Sequence, residues 1–376
     1  MVFSDTKLDP AATRRLREFA HETPLMSCVV DPSGRWCFAG GRSRRIYITD
    51  LNSGEIEALE DHESWVVTST RWGSSGVPVR SPEAELEPPP PPLPRDLSDK
   101  DNGSLKPGGV SHEESLVLTG DLVGRLICWD TLGPWPELRW SVETGHGTLR
   151  TVAVSRDGKQ VATGGGDGVV RLWSITDGSA IRELRGHTCP VFSTAFHPDG
   201  THLLSGDRGD QKIKQWDYQA GKPVREFDAK DLSNYKGGTD INYGGVRDLE
   251  FTPDGAVVLC CGRDSYGRPG LVLQFDWKTG QQIRKQVSTF TNSIFHHVIF
   301  HPQGFFLTAG VGAQTGEIWF WSPDQDEKLA SVEVSGPAYG MDLHPDGRHI
   351  VVAQMGGPRT YGDHGTIGLY EIPVVK

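Results

Sequence analysis

The side chains best suited to chemistry in this sequence are two adjacent imidazoles, His296-His297, and three carboxylates, Asp248, Glu250 and Asp342. Imidazoles and carboxylates ligate divalent metals, and a metal held by such a set can activate water for hydrolysis. The opposing reading makes the same five side chains polar residues held by hydrogen bonds within the fold. No GxSxG elbow, P-loop, HExxH pair or EF-hand loop occurs in the chain. The expectation is therefore a chain that is not an enzyme, with no catalytic residue, no metal and no cofactor.

Composition narrows the context. With 46 Gly and 25 Pro, the chain is rich in turn-formers, which suits many short strands joined by tight turns. No run of about 18 apolar residues could form a membrane span. Met1 to Pro10 lacks the basic and apolar regions of a secretory signal. These two features predict no membrane partner and a cytoplasmic location. The formal net charge of −11 repels phosphate backbones and argues against a nucleic-acid partner. None of the six cysteines sits in a CxxC pair, so they are expected to be reduced, buried thiols. Arg42, Arg44 and Arg45 read as a solvated loop, and Arg208-Gly209-Asp210 as a chance match to an adhesion tripeptide.

The elements that must position these residues emerge from a recurring turn. It reads Asp31-Pro32-Ser33-Gly34, Ser155-Arg156-Asp157-Gly158, His197-Pro198-Asp199-Gly200, Thr252-Pro253-Asp254-Gly255, His301-Pro302-Gln303-Gly304 and His344-Pro345-Asp346-Gly347. Proline presets φ, the aspartate bonds its own backbone, and glycine accepts a positive φ. From Gly158 onward the glycines are 42, 55, 49 and 43 residues apart, the length of a four-stranded propeller blade. The long gap from Gly34 to Gly158 holds an insert over 73–115, with five consecutive prolines at 88–92, expected to be a disordered loop. Its Pro91-Pro92-Leu93-Pro94 run resembles ligands of proline-binding modules. Removing the insert leaves seven repeats. Each has an apolar strand a at the centre, strands b and c, and a polar outer strand d, so that the His296, Asp248, Glu250 and Asp342 positions border a central channel.

These segments resemble the WD-repeat family. Gly145-His146 and Gly186-His187 match its Gly-His signature, and Trp129-Asp130 and Trp216-Asp217 its Trp-Asp signature. The resemblance implies an all-β, seven-bladed propeller spanning 1–376 as a single domain. It also implies a hydrogen-bonded tetrad in each blade. The matching positions are His146, Thr163, Asp167 and Trp173 in repeat three, and His187, Ser205, Asp210 and Trp216 in repeat four. Repeat two has His62, Thr119 and Trp129 but Val123 at the aspartate position. Repeats one, five and seven carry Thr49, Phe275 and Tyr370 at the tryptophan position. Repeat six keeps Trp321 but has Thr315 for the aspartate.

The last repeat lacks an outer strand. Setting His21 on His187 predicts that residues 11–20 supply it, although the same stretch could form a short helix. Counting outward from the Asp31 turn pairs Cys28 with Cys37. The d–a and b–c loops of repeats five to seven are long, and share one face. They carry Tyr235, Asn242, Tyr243, Tyr266, Arg268, Arg359, Tyr361 and His364, residue types favoured at interface hot spots. The function expected is a non-catalytic scaffold that binds a protein or peptide there. The competing class is a propeller hydrolase or lactonase with a metal in the channel.

Overall fold

The computed structural model describes residues 7–73, 114–209, 211–232, 245–264, 269–290, 293–311, 316–356 and 363–375. The insert core, 74–113, lies outside them, and so does its expected disorder. Seven antiparallel sheets of four strands each follow one another around a ring. The innermost strands, a, run Leu25–Val30, Val66–Gly73, Leu149–Val154, Val191–Phe196, Asp248–Phe251, Ile294–Phe300 and Ala338–Leu343. Outer strands such as Ala180–Arg185 expose most of their residues, which is why their sequence is polar. Among the described residues no helix is long and apolar enough to cross a membrane.

The apolar core is divided into seven clusters, and each lies between two adjacent blades. Both faces of a blade are therefore covered, and strands b and c read as near-continuous apolar runs, such as Leu116-Val117-Leu118. One cluster joins Phe19, Leu25 and Val30 to Val351, Ile367 and Leu369, which places the first and last repeats side by side.

The ring closes as the His21 alignment predicts. Strand Arg14–His21 pairs antiparallel with Gly365–Glu371, from Arg14↔Glu371 to His21↔Gly365. A short 3-10 turn, Pro10–Ala12, precedes it, capped by Asp9. The helical alternative is thus confined to three residues. The termini add a second link, with Leu8 bridging Val374.

Two expectations about register are corrected. Gly73 and Ser115 belong to strands and pair with each other, so the insert leaves from the end of a hairpin. In blade one, Cys28 faces Ala39, and Val30 faces Cys37. The turn is longer than assumed, because Asp31 N–H bonds the Trp36 carbonyl at 2.8 Å and Gly34 sits at φ 79°. Cys28 and Cys37 are therefore diagonal rather than opposed, and all six cysteines are free thiols.

Candidate functional site at the mouth of the central channel

Strand a carries a β-bulge near its start in six blades, where the register shifts by one residue. A bulge leaves one residue unpaired and re-aims its side chain. The residues so placed are Met26, Val67, Arg150, Phe192, His296 and Tyr339. Arg247 takes the corresponding place just before strand Asp248–Phe251, its N–H bonded to Cys261. All seven line a central channel of about 740 Å³. They form a ring at the end where the d–a and b–c loops lie.

The ring is not uniform. On blades three to five it reads Arg150, Phe192, Arg247. The guanidinium carbons of Arg150, Arg208 and Arg247 lie 5.2, 5.7 and 5.2 Å from the centre of the Phe192 ring, close enough for cation–π attraction. Nε and Nη2 of Arg247 are buried without a hydrogen-bond partner. Burial, then Arg150 and Arg208, bring the Arg247 pKa down to about 10. On blades six and seven, His296 packs on Tyr339 at 4.7 Å. Burial, then Arg247 and His297, hold His296 neutral, well below the ordinary histidine range. Near blades one and two, Arg42 covers the exposed Trp65 ring at 4.9 Å.

Deeper in the channel stand the groups that first suggested metal chemistry. Asp248 lies 3.2 Å from His297 Nδ1 and accepts the Val298 N–H of the next blade at 3.1 Å. Asp342 accepts the Val30 N–H and an Arg71 N–H, both at 2.8 Å, linking blades seven, one and two. These aspartates are interblade ties. Burial opposes charge on His297, but its bond to Asp248 and the field of Asp248 and Asp342 prevail and raise its pKa. Glu250 goes up to about 8, through burial and then the charges of Asp248 and Asp342.

Among the described residues, the one group of three metal-type donors within mutual reach is His344, Asp346 and His349, elsewhere. That group is a turn: His344 Nδ1 accepts the Asp346 N–H at 3.2 Å, and His344 Nε2 donates to Gly34. The His197-Asp199-His202 turn of blade four repeats it, with His197 Nε2 bonded to Gly255.

The tetrads are structural, with two corrections. In blade three His146 bonds Asp167 and Thr163, each at 2.8 Å, and Trp173 donates to Thr163 at 2.8 Å. In blade four His187 bonds Ser205 at 2.6 Å, and Trp216 donates to Ser205 at 2.7 Å. The carboxylate is Asp207, at 2.9 Å from His187. Asp210, the position that the spacing gives, lies outside the described residues. Blade two is also complete, with Asp121 rather than position 123 facing His62 at 3.3 Å. Asp121 and Asp207 stand on the rung where blade three has Gly165, two residues before its aspartate. Counting back from tryptophan failed because the b–c turn varies in length. In blade one the rungs of Thr119 and Asp121 hold Ala39 and Gly41, and His21 packs edge-on to Tyr47 at 5.0 Å. Both of its ring nitrogens are buried and unpartnered, and burial lowers its pKa to about 4.

Of the eight loop residues singled out from the sequence, His364 alone is described. It is exposed and 3.1 Å from Asp363. Tyr235, Asn242, Tyr243, Tyr266, Arg268, Arg359 and Tyr361 lie outside the described residues. The ring itself escaped the sequence reading, although a signal was present. Met26, Arg150, Phe192, Arg247, His296 and Tyr339 each stand five residues before the first residue of their turn.

Comparison with known proteins agrees with this architecture. The family described as "WD domain, G-beta repeat" matches residues 13–50, 139–174 and 178–217. The first match takes in the closing strand and the three inner strands of blade one. Periodic tryptophan protein 2 homolog of Schizosaccharomyces pombe is 29% identical over 182 residues, covering 44% of this chain and 21% of its own. Cell division cycle 20.1, cofactor of APC complex, of Arabidopsis thaliana is 26% identical over 315 residues, 78% of this chain and 63% of its own. Protein groucho of Drosophila melanogaster is 24% identical over 112 residues, 30% of this chain and 15% of its own. The chain thus spans less than two thirds of the length of each.

Proposed function

We propose that this chain, a seven-bladed propeller of the WD-repeat family, is a non-catalytic scaffold that holds a protein or peptide on the face where the channel opens. The observation that carries this reading is the bulge ring. It gathers arginine, histidine and aromatic side chains at a rim surrounded by loops, and such side chains dominate interface energetics. In this reading the loop residues singled out from the sequence, Tyr235, Asn242, Tyr243, Tyr266, Arg268, Arg359, Tyr361 and His364, belong to the same partner face. The relative named as a cofactor of the APC complex supports protein partners in general. Neither nucleic acid nor membrane is the partner in this reading, and the cytoplasm is the place of action. The channel acids favour binding over hydrolysis, because Asp248 and Asp342 are spent on interblade N–H groups.

The test replaces Tyr243, Tyr266, Arg268 and Tyr361 by alanine together. Loss of tagged-chain partners in an affinity pull-down, with the melting temperature held, is the expected result. Trp173→Ala, which breaks a tetrad, should lower the melting temperature instead. Unchanged capture by the quadruple variant would overturn the loop assignment.

A further inference from the structure

We propose that Arg150, Phe192, Arg247 and Arg208 form an oxyanion subsite that takes the phosphate or carboxylate of a side chain in the partner segment. The inference rests on the reading that this face binds a protein or peptide. It adds the chemistry recognised on blades three to five.

The geometry points to an anion for three reasons. First, the three guanidinium groups converge on one ring, each within 5.7 Å of its centre. Like charges held together are unfavourable, and Phe192 offsets only part of the repulsion. Second, Arg247 lines the channel, and two of its nitrogens are buried without partners. A buried guanidinium N–H left unpaired is costly, and an incoming oxygen would satisfy it. Third, the acids next to Arg247 and Arg208 in sequence are already engaged, Asp248 by His297 and the Leu249 and Val298 N–H groups, and Asp207 by His187. A positive cluster on a chain of net charge −11 is suited to selecting acidic segments by local field rather than by overall attraction. Arginine's planar fork fits both phosphate and carboxylate. Trp65, which lines the same channel from blade two, gives a second contact for the same segment.

Fluorescence anisotropy with three labelled Gly/Ser peptides tests this. They differ only in a central phosphoserine, glutamate or alanine. The full chain should bind one or both oxyanion peptides at least tenfold tighter than the alanine peptide, more weakly as salt is raised. A phosphoserine peptide bound well above the glutamate one identifies phosphate as the source, and equal binding identifies a carboxylate as sufficient. Arg150→Gln with Arg247→Gln should abolish the preference, and Arg150→Gln alone should weaken it about tenfold. The single variant keeps the test decisive where the double one fails to fold. The subsite is overturned by an absent preference, or by one that survives Arg150→Gln unchanged. Failure here with capture still lost in the quadruple loop variant would remove this subsite alone. Failure here with capture retained would remove the loop assignment as well.

Discussion

His344 Nε2 donates to the carbonyl oxygen of Gly34 at 2.8 Å, across a separation of 310 residues, and so joins the turn of the last blade to that of the first. The same bond recurs from His197 to Gly255 at 3.0 Å and from His301 to Gly347 at 2.7 Å. The histidine-proline turns are thus interblade staples as well as hairpins.

Ring closure should be measurable in two places. His344→Ala leaves the Gly34 carbonyl without its partner and should lower stability by about 1–3 kcal/mol. Phe19→Ala empties the outer-strand position in the first–last interface and should lower it by about 3–5 kcal/mol. Both are read as a shift in the denaturant midpoint. A Phe19→Ala midpoint equal to the unmodified protein's would mean that the N-terminal strand does not hold the ring.

The blade-four carboxylate can be identified by substitution. Asp207→Ala removes the partner of a buried imidazole and should cost about 2 kcal/mol. Asp210→Ala leaves the His187 network intact. The reverse order in thermal melts would restore the spacing-based assignment.

What the sequence disclosed, and what it did not, follows from how each feature is encoded. The blade count and closing strand were legible because turn chemistry and apolar alternation act locally, and His21 aligned with His187 through an equal distance to its turn. Asp207 was not, because a carboxylate can reach His187 from either the last rung of strand b or the following turn. The Cys28 register was lost because the hairpin closes on Asp31 and Trp36, which sets Val30 opposite Cys37. The bulge ring was missed because a bulge has no signature in residue type; only the constant five-residue spacing to the turn marks it.

Thiol reactivity should be graded. Cys28, Cys37, Cys128, Cys260 and Cys261 are buried, and Cys189 is half-exposed. Burial pushes the buried thiols up, Cys128 to about 12, so little thiolate is available. A thiol reagent should modify Cys189 first in the native chain and six thiols after denaturation. A denatured count of four would reveal a disulfide.

Glu250 should make stability fall with rising pH. Its native pKa of about 8 lies above the ordinary carboxylate value, so between the two the folded chain keeps a proton that the unfolded chain has released. The contribution is present at low pH and lost as pH rises through about 8. Asp248, Asp342, His297 and Arg71 line the same channel region. Relative to Glu250→Gln, which cannot ionise, the unmodified protein should lose on the order of 1–2 kcal/mol between pH 5 and 8.5, after discounting for channel water. Parallel pH profiles for the two chains would contradict this.

The face that holds the partner is tested most directly by site-specific photocross-linking in cells. Trp65, exposed on the channel rim, and Asp199, exposed on a turn at the opposite face, are each replaced by p-benzoylphenylalanine. The account predicts an ultraviolet-dependent adduct with a partner protein from position 65 and none from position 199. An adduct from position 199, with none from position 65, would contradict it.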